Sequence, residues 1–342
     1  MSQPILIWGA GAIGGTMGAY LIRAGVPVRF VDVAADHVQA INADGLKIEG
    51  PIDNFRVRAE AMLPKDVSGS YRQIVLAVKA HHTVAATKAL APSLAADGYV
   101  LSAQNGLNEI EIAKILGAER TIGAFVNFGA DYMRPGVVMY GGRGAVVLGE
   151  LDGSRTPRLE ALYRCLQLFE PDAVITDDIW GYLWGKLGYG ALLFATALTE
   201  ASIADVLASM PHQALLRALA EEVMRVAAAK GVAPKGFNGF DPKAFMAGAN
   251  GALAAASMQA MVEFNRRSAK SHSGIYRDLA VRKRKTEIDA QIGPIAGIGR
   301  EQGVATPITD RLIQLIRELE DGKRHMAWEN LDALGAAMQV EA

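Results

Sequence analysis

One short stretch limits this chain more than any other. Gly9-Ala10-Gly11-Ala12-Ile13-Gly14 follows directly on the apolar run Ile5–Trp8 and opens a helical pattern, Gly14–Ala24, that stops at Gly25. Strand, glycine turn and helix in that order let the backbone approach a pyrophosphate, which rests on the helix N-terminus. A glycine-rich turn without a ligand has the same spelling, so the flanking elements and the next acid decide the reading. That acid is Asp32, at the end of the second apolar run, Val28–Val31. A carboxylate there accepts from the adenosine ribose hydroxyls and repels a 2′-phosphate. Arg29 lies within the strand, and neither it nor His37 occupies the position just after the strand where a phosphate-binding arginine belongs. Gly9, Ala10, Gly11, Ala12, Ile13, Gly14 and Asp32 are therefore expected to bind a dinucleotide, NAD(H) in preference to NADP(H).

The pattern continues as alternating strands and helices, which makes βαβ units and a mostly parallel sheet. Ile74–Val78, Val100–Ser102 and Ile122–Val126 are expected strands, and Val84–Leu90 and Glu109–Leu116 expected helices. Asn108 and Glu111 have the spacing of a capping box. Val137–Tyr140 and Ala145–Gly149, separated by Gly141-Gly142-Arg143-Gly144, are expected to form an antiparallel hairpin closing the sheet. After about Thr176 the period becomes helical: Ile179–Leu198, Ala214–Lys230, Ala252–Arg267, Glu287–Gln302 and Thr309–Glu320. The expected fold is an α/β Rossmann domain over residues 1–176 and an all-α domain over 177–342.

Charge excludes whole classes of partner. Lys and Arg number 35 against 36 Asp and Glu, so there is no net field for nucleic acid or an anionic membrane. The run Arg282-Lys283-Arg284-Lys285 is followed at once by Glu287 and Asp289 and reads as a solvated helix face. No apolar run reaches the roughly 18 residues of a membrane span, and the N-terminus has no signal-peptide pattern. With the single Cys165 no internal disulfide forms. A cytoplasmic enzyme, with a helical half compatible with a homodimer, is the expectation.

Ile179–Leu198 is apolar nearly all round, and Lys186 is the one charge in its interior. A buried ammonium needs a partner or a chemical task; a lysine snorkelling from a partly exposed helix is the plain alternative. Lys79 follows the strand Ile74–Val78, and Asn105 follows Val100–Ser102, both at the carboxyl ends where open α/β sheets bind ligands. Taken singly, each has an ordinary loop explanation.

Taken together, Gly9–Gly15, Ala77-Val78-Lys79, Gln104-Asn105-Gly106, Trp184-Gly185-Lys186-Leu187, Ser271-His272-Ser273 and Lys285-Thr286-Glu287-Ile288-Asp289 resemble the ketopantoate reductase (2-dehydropantoate 2-reductase) family along nearly the whole chain. The resemblance implies reduction of a 2-oxoacid to a 2-hydroxyacid, with Lys186 as proton donor. It implies that Lys79, Asn105 and Gly129 line the nicotinamide and its ribose, and that Glu287 approaches the cofactor or the lysine. Substrate contacts would come from Asn105, Lys186 and the positions of Gly190, Phe194, Ser271, His272, Ser273 and Gly274.

The chain departs from the family at Gly190 and Phe194, where the family has asparagines, and at Gly274, where it has a serine. The residue after the second strand that usually binds phosphate is replaced by Asp32. Fewer polar contacts imply a 2-oxo or 2-hydroxy acid with a less polar side chain, with His272, Ser273, Tyr276 and Arg277 as alternative carboxylate contacts. An NAD-dependent D-2-hydroxyacid dehydrogenase with a branched or aromatic substrate is one alternative. A β-hydroxyacid or opine-type dehydrogenase and a non-catalytic dinucleotide sensor are the others.

Overall fold

Strand β1, Ile5–Trp8, is buried at every position, as a strand paired on both sides and covered on both faces must be. In the computed structural model, which describes residues 3–268 and 270–341, it lies at the centre of the first of two compact units, residues 1–179 and 180–342. The first unit continues with α1 (Ala12–Arg23), β2 (Val28–Val31), α2 (Ala35–Asp44), β3 (Leu46–Glu49), β4 (Phe55–Val57), β5 (Glu60–Met62) and β6 (Tyr71–Leu76). Then come α3 (Thr83–Leu90), β7 (Leu94–Ser102), α4 (Asn108–Leu116), β8 (Thr121–Val126), β9 (Gly129–Arg134), β10 (Val137–Gly142), β11 (Val146–Glu150), α5 (Pro157–Leu166) and β12 (Val174–Ile175).

Eight strands form one sheet in the order β12-β11-β8-β7-β6-β1-β2-β5. Its neighbours are parallel except β8 with β11. Strand order reverses between β1 and β6, and the crevice beyond the carboxyl ends at such a reversal is where doubly wound sheets take ligands. The mostly parallel α/β architecture is thus that of a Rossmann domain.

The expected hairpin from Val137 to Gly149 is not formed. β10 belongs to a second sheet, ordered β4-β3-β10-β9, in which it runs antiparallel to β9 and parallel to β3. β11 instead pairs with β8 in the large sheet. Apolar runs mark strands but do not name their partners, and β9 (Gly-Ala-Asp-Tyr-Met-Arg) is too polar to stand out. α1 packs against both sheets: Gly18 lies against Phe30 and Ile7, and a Cβ on Gly15 would lie 3.3 Å from Val138. Tyr20 on this helix meets Phe55, Tyr140 and Phe169 edge-on, filling the space between the sheets.

The second unit is helical. It is built from α6 (Ile179–Thr196), α7 (Ile203–Leu207), α8 (Gln213–Ala229), α9 (Gly251–Arg267), α10 (Gly274–Tyr276), α11 (Ile288–Gln291), α12 (Gly293–Glu301), α13 (Pro307–Glu320) and α14 (Glu329–Gly335). The single helix expected over Glu287–Gln302 is two, because Pro294 has no N–H to continue the ladder and begins a new first turn. Residues Arg277–Val281 form a π-turn, so the basic run that follows is a loop and not a helix face. Within it Arg282 and Arg284 both bind the buried Asp278, at 3.1 and 2.8 Å. Fully buried Glu222 on α8 accepts from the N–H groups of Ile308 and Thr309 at 2.8 and 2.7 Å, and so caps α13 from a neighbouring helix. Among the described residues no helix is long and apolar enough to cross a membrane.

Candidate active site

In the first unit the candidate cofactor-binding residues begin at the mouth of α1. Gly9 has φ +103°, and a Cβ there would lie 2.8 Å from the carbonyl carbon and oxygen of Ala77 at the end of β6. Only glycine fits. Gly14 is equally constrained, since a Cβ would run into the Gly9 carbonyl and lie 2.8 Å from Ile7. Gly11, by contrast, has open space around it and precedes a first turn with no acidic residue and no capping side chain. With no side chain capping it, the positive end of this helix is a setting made for an anion. The residues present fit the pyrophosphate of a dinucleotide.

Asp32 is half-buried just past β2, and both of its oxygens are held by backbone. Ala10 N–H donates to Oδ2 at 2.9 Å, and Ala34 N–H donates to Oδ1 at 3.0 Å. Each oxygen keeps a second lone pair for a ribose hydroxyl. Arg29 is directed elsewhere, to Glu60 at 2.8 Å and to the Tyr71 hydroxyl at 3.3 Å. His37 is buried inside the unit. Its Nε2–H donates to the Ala10 carbonyl at 2.9 Å, while its Nδ1 accepts from Gly136 N–H at 2.9 Å.

Lys79, Asn105 and Gly129 each follow the carboxyl end of a strand, β6, β7 and β8 in turn, beside Gly9 at the end of β1. Lys79 and Asn105 are exposed and Gly129 is half-buried. Gln104 ties two of these loops together, donating to the Val78 carbonyl at 2.9 Å and to Thr83 Oγ1 at 2.8 Å. Thr83 donates to Asn108 Oδ1, and Asn108 Nδ2 donates to the Asn105 carbonyl at 2.7 Å. The capping box expected of Asn108 and Glu111 is therefore absent: Asn108 is the first helical residue, and its side chain turns back to the loop. Gln104 belongs to the Gln104-Asn105-Gly106 segment but has no role assigned from sequence, and Thr83 is a supporting residue with no sequence signal of its own.

The helical unit holds the other candidate residues. Beyond Trp180, every residue of α6 is buried except Tyr182, Lys186, Gly190 and Leu193. Their spacing of four, four and three puts them on one stripe. Lys186 thus stands half-exposed on the open side of an otherwise buried helix. Gly185 and Gly188 are glycines for packing, pressed on the Lys235 carbonyl and on the Phe240 ring, whereas a Cβ at Gly190 would meet nothing within 4 Å. Phe194, expected to touch substrate, is instead a core residue with 0 % exposure. It lies off the open stripe, packed where an apolar ring is worth most.

The remaining expected contacts divide in the same way. Ser271 Oγ and the Glu200 carbonyl engage the two ring nitrogens of His272, at 2.9 and 3.1 Å, which ties this turn to the segment after α6. Ser273 is buried and caps α10 by accepting from Tyr276 N–H. A side chain at Gly274 would enter open space. Arg277 is half-buried, and burial with the nearby Arg282 charge lowers its pKa. Glu287 is buried at the head of α11, and the preceding Thr286 donates both N–H and hydroxyl to Glu320, at 2.7 and 2.6 Å. Among the described residues no group of three or more His, Cys, Asp or Glu is placed to hold a metal ion.

A Rossmann sheet with an uncapped glycine-loop helix and an acid after β2 defines a dinucleotide-binding protein. The profile described as "Ketopantoate reductase PanE/ApbA" matches residues 5–153, and "Ketopantoate reductase PanE/ApbA C terminal" matches residues 178–320. A 2-dehydropantoate 2-reductase from Mesorhizobium japonicum is 28% identical over 92% of this chain and 97% of its own. A PanE/ApbA family ketopantoate reductase from Ralstonia eutropha is similar in structure, with TM-score 0.79 and 27% identity over 94% of this chain and all of that one. D-mandelate dehydrogenase with NADH and anilino(oxo)acetate shares the fold, with TM-score 0.80 and 24% identity over 94% of this chain and 99% of that one. The chain belongs to the ketopantoate reductase family.

Proposed function

We propose that this protein reduces a 2-oxoacid to a 2-hydroxyacid, with Lys186 as proton donor and NADH as the preferred cofactor. The observation that carries the reading is the half-exposed Lys186 on the open stripe of α6, one turn before the open space at Gly190. When bound, the dinucleotide supplies the hydride. Lys186 donates a hydrogen bond to the substrate carbonyl oxygen, stabilises negative charge developing there, and gives up its proton. Lys79, Asn105 and Gly129 are assigned to the nicotinamide ribose side, and buried Glu287 to orienting the lysine or the cofactor. Asp32, with no cation directed to the same place by Arg29, favours a ribose with a free 2′-hydroxyl.

Gly190 and Gly274 favour a second reading of the same site, an NAD-linked D-2-hydroxyacid dehydrogenase. Both positions lack a polar side chain and leave open space, room suited to a branched or aromatic substituent. A steady-state screen of 2-oxo and 2-hydroxy acids with NADH, NADPH and their oxidised forms separates the readings. Exclusive turnover of ketopantoate with NADPH would overturn both the cofactor and the substrate assignments. Cofactor binding without turnover of any acid would leave a dinucleotide sensor.

A further inference from the structure

We infer that His37 is a positioning residue for cofactor binding: it sets the Ala10–Gly11 peptide so that the Gly11 N–H faces the pyrophosphate. The inference rests on the dinucleotide reading of the glycine loop and assigns a residue that this reading does not use. His37 is 1 % exposed and lies in α2, well away in sequence from both of its partners. The Ala10 carbonyl can only accept, so Nε2 carries the proton; the Gly136 N–H can only donate, so Nδ1 is the acceptor. The bonding fixes one tautomer and one ring orientation, and Tyr132 of β9 packs edge-on against the ring at 5.1 Å.

The consequence follows from peptide geometry. In a trans peptide the C=O and the following N–H point in opposite directions. Drawing the Ala10 carbonyl inward onto His37 therefore turns the Gly11 N–H outward, toward the uncapped end of α1. The peptide before it is held in the same manner, because Ala10 N–H donates to Asp32. Gly11 itself has no neighbour near its Cβ position that could restrain it. The same carbonyl lies against α1, where a Cβ on Gly15 would come within 2.7 Å of it, so the helix supplies a steric stop and His37 the directional bond that sets the peptide. The Gly136 bond roots the ring in the β9–β10 turn, where the Gly136 carbonyl in turn accepts from Lys47 of β3. The second sheet thus serves the phosphate loop through one imidazole.

Two substitutions separate the bonds. Asn places an acceptor near the position of Nδ1 and loses Nε2, whereas Gln places a donor near Nε2 and loses the Nδ1 acceptor. His37→Asn should raise the Kd for ADP and for NADH about tenfold, the scale of one well-placed hydrogen bond, while His37→Gln should stay within about threefold of wild type. Affinity for adenosine, which carries no phosphate, should be unchanged in both, as should kcat at saturating cofactor. Equal losses in the two variants, or equal losses for ADP and adenosine, would reduce His37 to packing and overturn the inference. Wild-type protein that binds neither ADP nor NADH would instead overturn the dinucleotide reading itself. Thermal denaturation of each variant identifies a loss caused by a general failure to fold. In that case His37→Phe and His37→Leu, which fill the site without either bond, decide the matter, and a well-folded variant of that kind with wild-type ADP affinity overturns the inference.

Discussion

Ala10 donates its backbone N–H to Asp32 Oδ2 at 2.9 Å, so the acid proposed to read the ribose also holds the glycine loop. Removing it does two things at once. Loss of repulsion favours NADPH, but loss of the clip on Ala10 weakens both cofactors. Asp32→Ala should therefore lower kcat/KM for NADH by roughly 10- to 100-fold, the range for losing a hydrogen bond to a charged group. The NADPH value should change much less, so the preference narrows without a matching gain. Paired kcat/KM and Kd measurements check this. A tenfold preference of wild type for NADPH would show that the carboxylate does not govern the choice.

The places of the glycine turn, Asp32, Lys79 and Asn105 in the fold are legible because they are local: a strand, three glycines and an acid occur in order along the chain. The same holds for Lys186, the one interior charge of an apolar helix. What stayed hidden depends on contacts distant in sequence. His37 meets Gly136 across 99 residues, and Glu222 meets Thr309 across 87. The second sheet joins β3 to β10 with nothing in either strand to announce the pairing. Phe194, expected at the substrate, differs for a related reason. Correspondence with a family position says which residue is there, but burial decides whether its side chain can face a ligand, and an aromatic ring at that point of α6 turns to the core.

Lys186 is half-exposed, so its loss should leave the helical unit folded. Lys186→Ala should lower kcat by roughly 10²- to 10⁴-fold, the usual scale for a positioned general acid. The dinucleotide Kd should move little, because the glycine loop and Asp32 belong to the other unit. Near-normal turnover by the variant would make Lys186 a structural lysine. Simultaneous loss of turnover, binding and thermal stability would point to collapse of α6.

Glu222 supplies a test of stability. Burial opposes its ionised form more than the Ile308 and Thr309 donors favour it, and its pKa is raised above the ordinary 4.5. The folded value exceeds the unfolded one. Its contribution to stability is therefore fully present below about pH 4.5 and is lost as pH rises through the raised value. Glu222→Gln removes this titration and sets an amide N–H against a backbone N–H at the head of α13. The variant should be less stable by about 1–3 kcal/mol in mild acid, and the gap to wild type should shrink as pH rises. Urea denaturation of both proteins at about pH 5 and about pH 8 reads the difference. A gap that widens with pH would show that the donors outweigh burial.

Gly190 carries the substrate prediction. A glycine inside a helix is less stable than alanine by about 0.5–1 kcal/mol, yet a Cβ at Gly190 would meet nothing within 4 Å. Its two helical neighbours are different: Gly185 and Gly188 are hemmed in by Lys235 and Phe240. Packing therefore explains those two glycines and not this one. Gly190→Ala should raise the Tm by about 1–3 °C while reducing kcat/KM for branched and aromatic 2-oxoacids. Gly190→Leu should reduce it further, by roughly 10- to 100-fold, with the smallest 2-oxoacids least affected. Gly190→Asn places an amide one turn from Lys186 and should shift relative kcat/KM toward ketopantoate by about tenfold. An unchanged substrate profile in a stably folded Gly190→Leu enzyme would show that substrate does not enter this space, and the assignment of a bulky, weakly polar acid would lose its structural basis.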